Sequence, residues 1–249
     1  MPRVELDEYA RIAAVEDDHW WYRNTRAVMG DLLAPWLGAG QTILDAGCGP
    51  GGNGAWLGRH GHVTGLDIAP EGLRYVRARR RELAPVQGDV TALPFCDRCF
   101  DIAVAVTVVY AVPDDEQAVA ELARVLRPGG ALLLIEPAFR ALRRAHDKTV
   151  ASVRRYRRPE LVALTARAGL SVQRATYAYS FLTPAAAALS LVDRLRPRPV
   201  DAAGSDVDRR GVDALFEPMA HLERRWLRHG DVPVGTSVVV VATRPRSGP

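Results

Sequence analysis

The stretch "QTILDAGCGPGG", Gln41 to Gly52, constrains the fold more than any other part of the chain. A short apolar run through Ile43 and Leu44 ends on a carboxylate, Asp45, and then breaks into Gly47, Gly49, Gly51 and Gly52. Glycines at that density permit backbone conformations that other residues avoid and let the main chain approach a ligand closely. Downstream, short apolar runs at 42–46, 62–66, 85–87, 102–106 and 131–135 alternate with helical patterns at 54–59, 71–82, 116–126 and 160–168. The alternation predicts repeated βα units around a parallel sheet buried on both faces, an α/β fold of Rossmann-like type. In such a sheet the ligand crevice lies beyond the carboxyl ends of the strands, where these glycines sit.

Before Leu37 the apolar positions recur at mixed three and four spacing, interrupted by the polar "EDDH", which predicts two helices with a kink, the second ending near Pro35. Near the other end "LSVQRATYAYS" and "GTSVVVVATR" read as two further strands. The stretch between them is helical in parts and broken by "RPRPVDAAGSD". A structureless loop of that length is unusual inside a compact domain, so a small helical cap with a flexible middle around 197–208 is expected. "LRPGG", Leu126 to Gly130, reads as a helix stop and a turn into the fifth strand.

The 249 residues, 48% hydrophobic and 25% charged, suit one globular domain with an attached subdomain. The net charge of +4 comes almost wholly from arginine, and on its own does not mark a nucleic-acid partner. The cluster "RARRRE" at 77–82 continues a helical pattern and is expected on its solvated face; "RRYRR" at 154–158 is a second basic run. Three cysteines, an odd number, in a chain with no signal-peptide pattern favour a reducing cytoplasm. No apolar run reaches the roughly 18 residues of a membrane span. "CDRC" at 96–99 has the spacing of half a zinc site and lacks a second pair, so no metal is expected.

Three acids close successive strands: Asp45, Asp67 in "HVTGLD" and Asp89 in "VQGDV". Asp45 would repel a pyrophosphate and hold an ammonium group, directly or through water. Asp67 stands where a βαβ unit sets an acid against ribose hydroxyls, and Asp89 is placed to accept from an exocyclic amine. Amine, ribose and adenine without phosphate describe S-adenosylmethionine. The competing reading is that Asp45 or Asp89 caps a helix or turn.

At these residues the chain resembles a known family. "ILDAGCGPGG", "VTGLD", "GDVTALPF", "FDIAVAVTVVYAVPDD" and "LRPGGALLLIEP" are together similar to the class I S-adenosylmethionine-dependent methyltransferases of small-molecule type, over about Gln41 to Pro137. The resemblance implies a seven-stranded sheet of order 3-2-1-4-5-7-6 with the last strand antiparallel. It implies that Asp45, Gly47, Cys48 and Gly49 line the methionine end, Asp67 and Ile68 the ribose, Asp89 and Val90 the adenine, and that Thr107 lies beneath the methionine moiety. The expected organisation is an N-terminal helical lid at 1–38, a cofactor-binding core at 39–180 and 234–245, and a helical cap insertion at 181–233.

"EDDHWWYRNTR", "HDKTVASVRRYRRPELVALTARAGL" and "VPVGTSVVVVA" resemble a bacterial subgroup whose neighbours include glycan and secondary-metabolite pathways. The lid resemblance offers His19 and Trp20 to the substrate, and Tyr22 and Arg26 to the cofactor, Arg26 through its carboxylate. Anchoring the helices on the sheet is the alternative for the tryptophans. After the fourth strand relatives commonly read D-V-x-E-H-V-x-D; here Thr107 replaces the acid and Ala111 the histidine. With that base missing, His146, Asp147 and Tyr110 are the catalytic candidates, and Arg155 and Tyr156 the candidates for an anionic substrate or for structural ion pairs. The function expected is methyl transfer to a small-molecule acceptor, a secondary metabolite or glycan precursor, by a monomer or homodimer. A nicotinamide oxidoreductase is disfavoured by Asp45, and a catalytically silent partner or regulatory subunit is the alternative.

Overall fold

The structure is a computed structural model and describes residues 6–144, 147, 152–195 and 213–246. Seven strands form one sheet: β1 Gln41–Ala46, β2 Gly61–Asp67, β3 Leu83–Gln87, β4 Phe100–Val106, β5 Leu126–Pro137, β6 Ser171–Ala178 and β7 Ser237–Thr243. Their order is β3-β2-β1-β4-β5-β7-β6. The first five pair in parallel, and β7 runs antiparallel to both β5 and β6. This is the Rossmann-like sheet that the motifs imply.

The middle of the sheet is covered on both sides, which is why its strands read as unbroken apolar runs. Ile43, Leu44, Ile102 to Ala105, Leu132 to Ile135 and Val238 to Val241 are all 1% exposed or less. Each large side chain among them contributes about 1.5–3 kcal/mol by leaving water. The helices among the described residues are α1 Leu6–Val15, α2 Trp20–Leu33, α3 Gly52–Leu57, α4 Pro70–Arg79, α5 Asp115–Val125, α6 Arg158–Arg167, α7 Thr183–Leu195 and α8 Asp213–Leu227. Strands β1 and β4 are neighbours whose outgoing connections leave toward opposite edges. The crevice between their carboxyl ends is the switch point at which such sheets bind ligands.

Three local readings change. Strand β5 begins at Leu126, so "LRPGG" lies inside the strand. The turn survives as an irregularity in register opposite Phe100 and Ile102, with Gly129 at φ +85°. Arg244 explains the extension: its guanidinium binds the carbonyls of Ala123, Arg124 and Leu126, and its own carbonyl accepts from Gly129 N. Helix α4 stops at Arg79, short of Glu82, and its basic end is not simply a solvated face. Arg79 donates to the Ala13 carbonyl at 3.0 Å, and Arg80 pairs with Glu16 and Asp17. The partners belong to the N-terminal helices, which a reading of α4 alone does not see.

Between β6 and β7, α8 packs on α2, where Trp20 meets Phe216 with ring centroids 5.1 Å apart and Arg224 donates to Asp31 at 2.8 Å. Glu223, buried, accepts from the amides of Tyr179 and Ser180. The expected flexible middle at 197–208 lies outside the described residues.

Gly61 opens β2 opposite Gln41, and a Cβ there would meet the Gln41 carbonyl oxygen at 1.9 Å. Backbone on backbone cannot relax as a side-chain tip does, so Gly61→Ala is expected to cost about 3 kcal/mol. In thermal unfolding followed by circular dichroism, that is a fall of roughly 6–12 °C in Tm.

Candidate functional site

The glycine loop leaves β1 in left-handed conformations, with Gly47 at φ +71°, Gly49 at +52° and Gly51 at +97°. The amides of Gly47 and Cys48 both donate to the Leu66 carbonyl, at 2.7 and 2.9 Å, which folds the loop across the end of β2. A Cβ on Gly47 would meet Val108 Cγ2 at 2.4 Å, whereas one on Gly49 would meet nothing within 4 Å. The loop is thus closed on the Gly47 side and open at Gly49. Cys48 is buried, and burial pushes its thiol up, far from a nucleophilic thiolate.

Asp45 is 2% exposed. It accepts from the Gly54 amide in α3, while its Oδ2 has no hydrogen-bond partner among the described residues. Burial, and then the charge of Glu16, push its pKa up to about 7. A buried acceptor left without a donor costs about 1–3 kcal/mol. The unpartnered Oδ2 is the feature that the ligand reading rests on.

Asp67 is equally enclosed. Its Oδ2 accepts from Gly49 N at 2.8 Å, and its Oδ1 from Ala69 N at 2.9 Å and from the Tyr9 hydroxyl at 3.3 Å. Burial raises its pKa, and these donors draw it back. Beside it Ile68 is 43% exposed, an apolar side chain held out at the sheet edge, and Val90 is buried. Asp89 uses Oδ1 to accept from both Thr91 N and Thr91 Oγ1, the turn-forming role, and its Oδ2 takes no donor among the described residues.

Past β4, Thr107 sits at φ +54°, a strained conformation for a β-branched residue. Its amide donates to Ile135 O at 2.7 Å and its hydroxyl to Val106 O. The next three amides, of Val108, Val109 and Tyr110, all donate to the carboxylate of Glu136 at 3.3, 2.9 and 3.2 Å. Glu136 is fully buried, which pushes its pKa up to about 8 against those amides. It fixes the loop that faces the glycine loop through the contact of Val108 on Gly47.

The N-terminal candidates are spread over α2 and its start. His19 caps α2, its Nδ1 accepting from Trp21 N at 3.3 Å. Trp20 is 5% exposed in an aromatic cluster with Tyr179, Phe181 and Phe216. Tyr22 stands edge-on to Trp21, and burial raises its hydroxyl pKa. Arg26 donates to the carbonyls of Glu16 and Asp17 at 2.8 and 3.1 Å, which ties α2 to the corner after α1.

His146 lies outside the described residues. Asp147 forms a bidentate pair with Arg155, at 2.7 and 3.0 Å; burial works to raise its pKa, but the guanidinium holds it below the usual range. The Tyr156 hydroxyl donates to Asp115 at 2.8 Å, and Arg154 pairs with the same carboxylate. The Tyr110 carbonyl accepts from the amides of Val153 and Arg154, both at 3.1 Å, so this segment is stitched to the loop after β4.

Tyr9, Glu16 and Glu136 were not among the residues expected at the site. Glu136 carries the signal that marks Asp45, a lone acid ending an apolar strand. Glu16 lies in "EDDH", which reads as an interruption, yet its carboxylate accepts from Gly52 N at 3.0 Å and from Arg80 at 2.9 Å. Tyr9 has no distinguishing pattern around it.

Residues 44–134 match the methyltransferase domain family, the segment that carries the loop and all three strand-end acids. That segment, a little over a third of the chain, is similar to a methyltransferase domain, and the strand order is the one the class I resemblance implies. Among curated proteins it is similar to malonyl-[acyl-carrier protein] O-methyltransferase of Erwinia billingiae, 40% identical over 99 residues, covering 38% of each chain. It is also similar to fatty-acid O-methyltransferase of Mycolicibacterium smegmatis, 40% identical over 100 residues, covering 38% of this chain and 36% of that one. The similarity thus spans little more than a third of either relative. Among solved structures, the complex of the Haloferax volcanii Trm112 methyltransferase activator with a putative methyltransferase matches with a TM-score of 0.67 at 21% identity, covering 100% of both chains. At that identity the likeness is one of fold.

One structural neighbour, Haemonchus contortus phosphoethanolamine N-methyltransferase 2, 14% identical with a TM-score of 0.63 and covering 97% of this chain and 57% of that one, was solved with S-adenosyl-L-methionine bound. The residues present fit that ligand: an orphaned buried carboxylate oxygen at Asp45 for an ammonium, open space at Gly49, and exposed Ile68 beside Asp67 on the ribose side. A cation brought to Asp45 lowers its pKa from about 7, so cofactor binding near pH 7 is expected to release up to about half a proton. Calorimetry in buffers of different ionisation enthalpy measures this, and Asp45→Asn removes it. Glu136→Ala strands three amides, those of Val109 and Tyr110 buried, and is expected to lower stability by about 3 kcal/mol, read in urea unfolding.

Proposed function

We propose that the chain transfers a methyl group from S-adenosylmethionine to a small-molecule acceptor. The observation that carries this reading is the Asp45 carboxyl, buried under the glycine loop with one oxygen lacking a donor. A pyrophosphate cofactor finds no welcome there, and an ammonium group supplies the missing donor and the missing charge. The cofactor supplies an electrophilic methyl on a sulfonium, so the protein's tasks are to hold, orient and keep dry.

Asp45 and the open Gly49 side of the loop hold the amino-acid end, Asp67 and Ile68 the ribose, and Asp89 and Val90 the adenine. Thr107 and the segment tied down by Glu136 set the floor beneath the methionine moiety. In-line displacement needs the nucleophile about 3 Å from the methyl carbon, and fixed geometry provides most of the rate. Tyr22 and Arg26 close the N-terminal side, and His19 and Trp20 border the acceptor space. The proposed organisation is the lid at 1–38, the core at 39–180 and 234–245, and the cap at 181–233.

A base is needed only where the attacking atom carries a proton. His146 is the proposed base, with Tyr110 as hydrogen-bonding partner and with Asp147, clamped by Arg155, orienting the segment. The names of the relatives favour an acceptor with an acyl or other lipid-like chain within the wider class of small metabolites and glycan precursors. They also weigh against a silent partner subunit, because they are the names of methyltransferases.

Incubation with methyl-labelled cofactor and a fractionated small-molecule extract is expected to yield S-adenosylhomocysteine and a labelled low-mass product. Protein that ignores the cofactor and its demethylated product at millimolar levels, yet takes up a dinucleotide, would overturn this reading. His146→Ala is expected to slow turnover about 100-fold while leaving cofactor affinity within about twofold, by stopped-flow and calorimetry. Equal loss in both measurements would remove His146 from catalysis.

A further inference from the structure

Asp67 is the acid assigned to the ribose, and it is already heavily used. Its two oxygens accept from Gly49 N, Ala69 N and the Tyr9 hydroxyl. A carboxylate offers about four lone-pair sites, so three donors leave about one. A ribose diol brings two hydroxyl donors. The two amides are part of the loop and of the turn into α4, and they cannot leave without unmaking the site. Tyr9 is different, because it comes from α1, 58 residues away in sequence.

Tyr9 is 7% exposed and seated firmly. A Cβ on Gly72, in the first turn of α4, would meet Gly49 O at 2.8 Å and Tyr9 Cε1 at 3.0 Å, so the ring lies where the glycine loop and α4 come together. Only a glycine at 72 leaves room for both. The rest of the N-terminal corner is fastened to the same place: Arg79 to the Ala13 carbonyl, Arg80 to Glu16 and Asp17, and Glu16 to the amide of Gly52. Of the three donors to Asp67, the Tyr9 hydroxyl is thus the one that can leave with the glycine loop, the turn into α4 and the clamped corner all kept.

We infer that Tyr9 is an affinity-setting latch: its hydroxyl occupies an acceptor site on Asp67 that the cofactor's ribose diol requires, so binding must displace it. This rests on the cofactor reading above and adds a residue that competes with the cofactor. The latch keeps a buried carboxylate supplied with donors, at the expense of cofactor affinity. It acts on compounds with both ribose hydroxyls and is indifferent to those without them.

The test is calorimetry with the full chain, using S-adenosylhomocysteine and its 2′,3′-dideoxy analogue as probes. Tyr9→Phe keeps the ring on Gly72 and removes the competing hydroxyl. It is expected to tighten S-adenosylhomocysteine binding three- to tenfold and to leave the dideoxy analogue unchanged. Tyr9→Leu, which retains an apolar filler of different shape, is expected to tighten binding in the same direction, and thermal unfolding shows whether each variant is folded. Folded variants that bind S-adenosylhomocysteine as the wild type does, or more weakly, would overturn the latch, as would an equal gain for the dideoxy analogue. Wild-type protein that binds neither S-adenosylmethionine nor S-adenosylhomocysteine would sink the cofactor reading instead, so the two failures are distinguishable.

Discussion

A sheet buried on both faces has no water with which to satisfy a charge, and this chain ends three of its strands on buried acids. Asp45 closes the polar part of β1, Asp67 ends β2, and Glu136 stands next to last in β5, each 6% exposed or less. A buried carboxylate is stable only if hydrogen bonds or a cation replace its hydration. Each acid finds a different answer. Glu136 takes three amides in a row, Asp67 two amides and a hydroxyl, and Asp45 one amide and nothing at Oδ2. The gradient from satisfied to unsatisfied sets Asp45 apart from the other two.

The N-terminal helices are organised by the same need. Glu16 supplies an acceptor to Gly52 at the start of α3, Arg80 balances Glu16, and Arg26 gathers the carbonyls at the corner after α1. Glu16 is largely buried, and burial raises its pKa while Arg80 and Gly52 oppose the rise. The N-terminal helices and the glycine loop are thus parts of one electrostatic arrangement. Its farther side is apolar, with Trp20 and Trp21 packed on Tyr179 and the cap. Anchoring and lid formation, separate readings of the tryptophans in the sequence, are compatible in this geometry.

What was legible in the sequence follows from how local the cause is. The β1 glycine loop, the strand-end acids and the order of βα units show in short windows, because period and turn chemistry are properties of neighbours. The start of β5 was misplaced because Arg244, more than a hundred residues away, holds it in the sheet. The basic end of α4 was misread because its partners are Ala13, Glu16 and Asp17, which come from another helix. Tyr9 was invisible for the same reason, being one tyrosine in an amphipathic helix until Asp67 is placed beside it. Glu136 is the exception that local reading had within reach, since "LLLIEP" repeats the pattern of "TILDA".

Proton linkage joins the scaffold acids to the ligand. The pKa of Asp45 is raised from 3.8 to about 7, and that of Glu136 from 4.5 to about 8, burial being the first cause in each. A carboxyl with a folded pKa above its unfolded one binds more protons when folded. Its contribution to stability is fully present below the unfolded value and is lost as pH rises through the folded one. Both groups therefore weaken the empty fold between about pH 4 and pH 8. A positive charge beside Asp45 favours its ionised form and reverses that trend for Asp45 alone, because Glu136 is turned toward the amides after β4. Near neutral pH a cation held at Asp45 would thus offset the cost that this buried carboxyl imposes on the fold, and would do so most where that cost is rising.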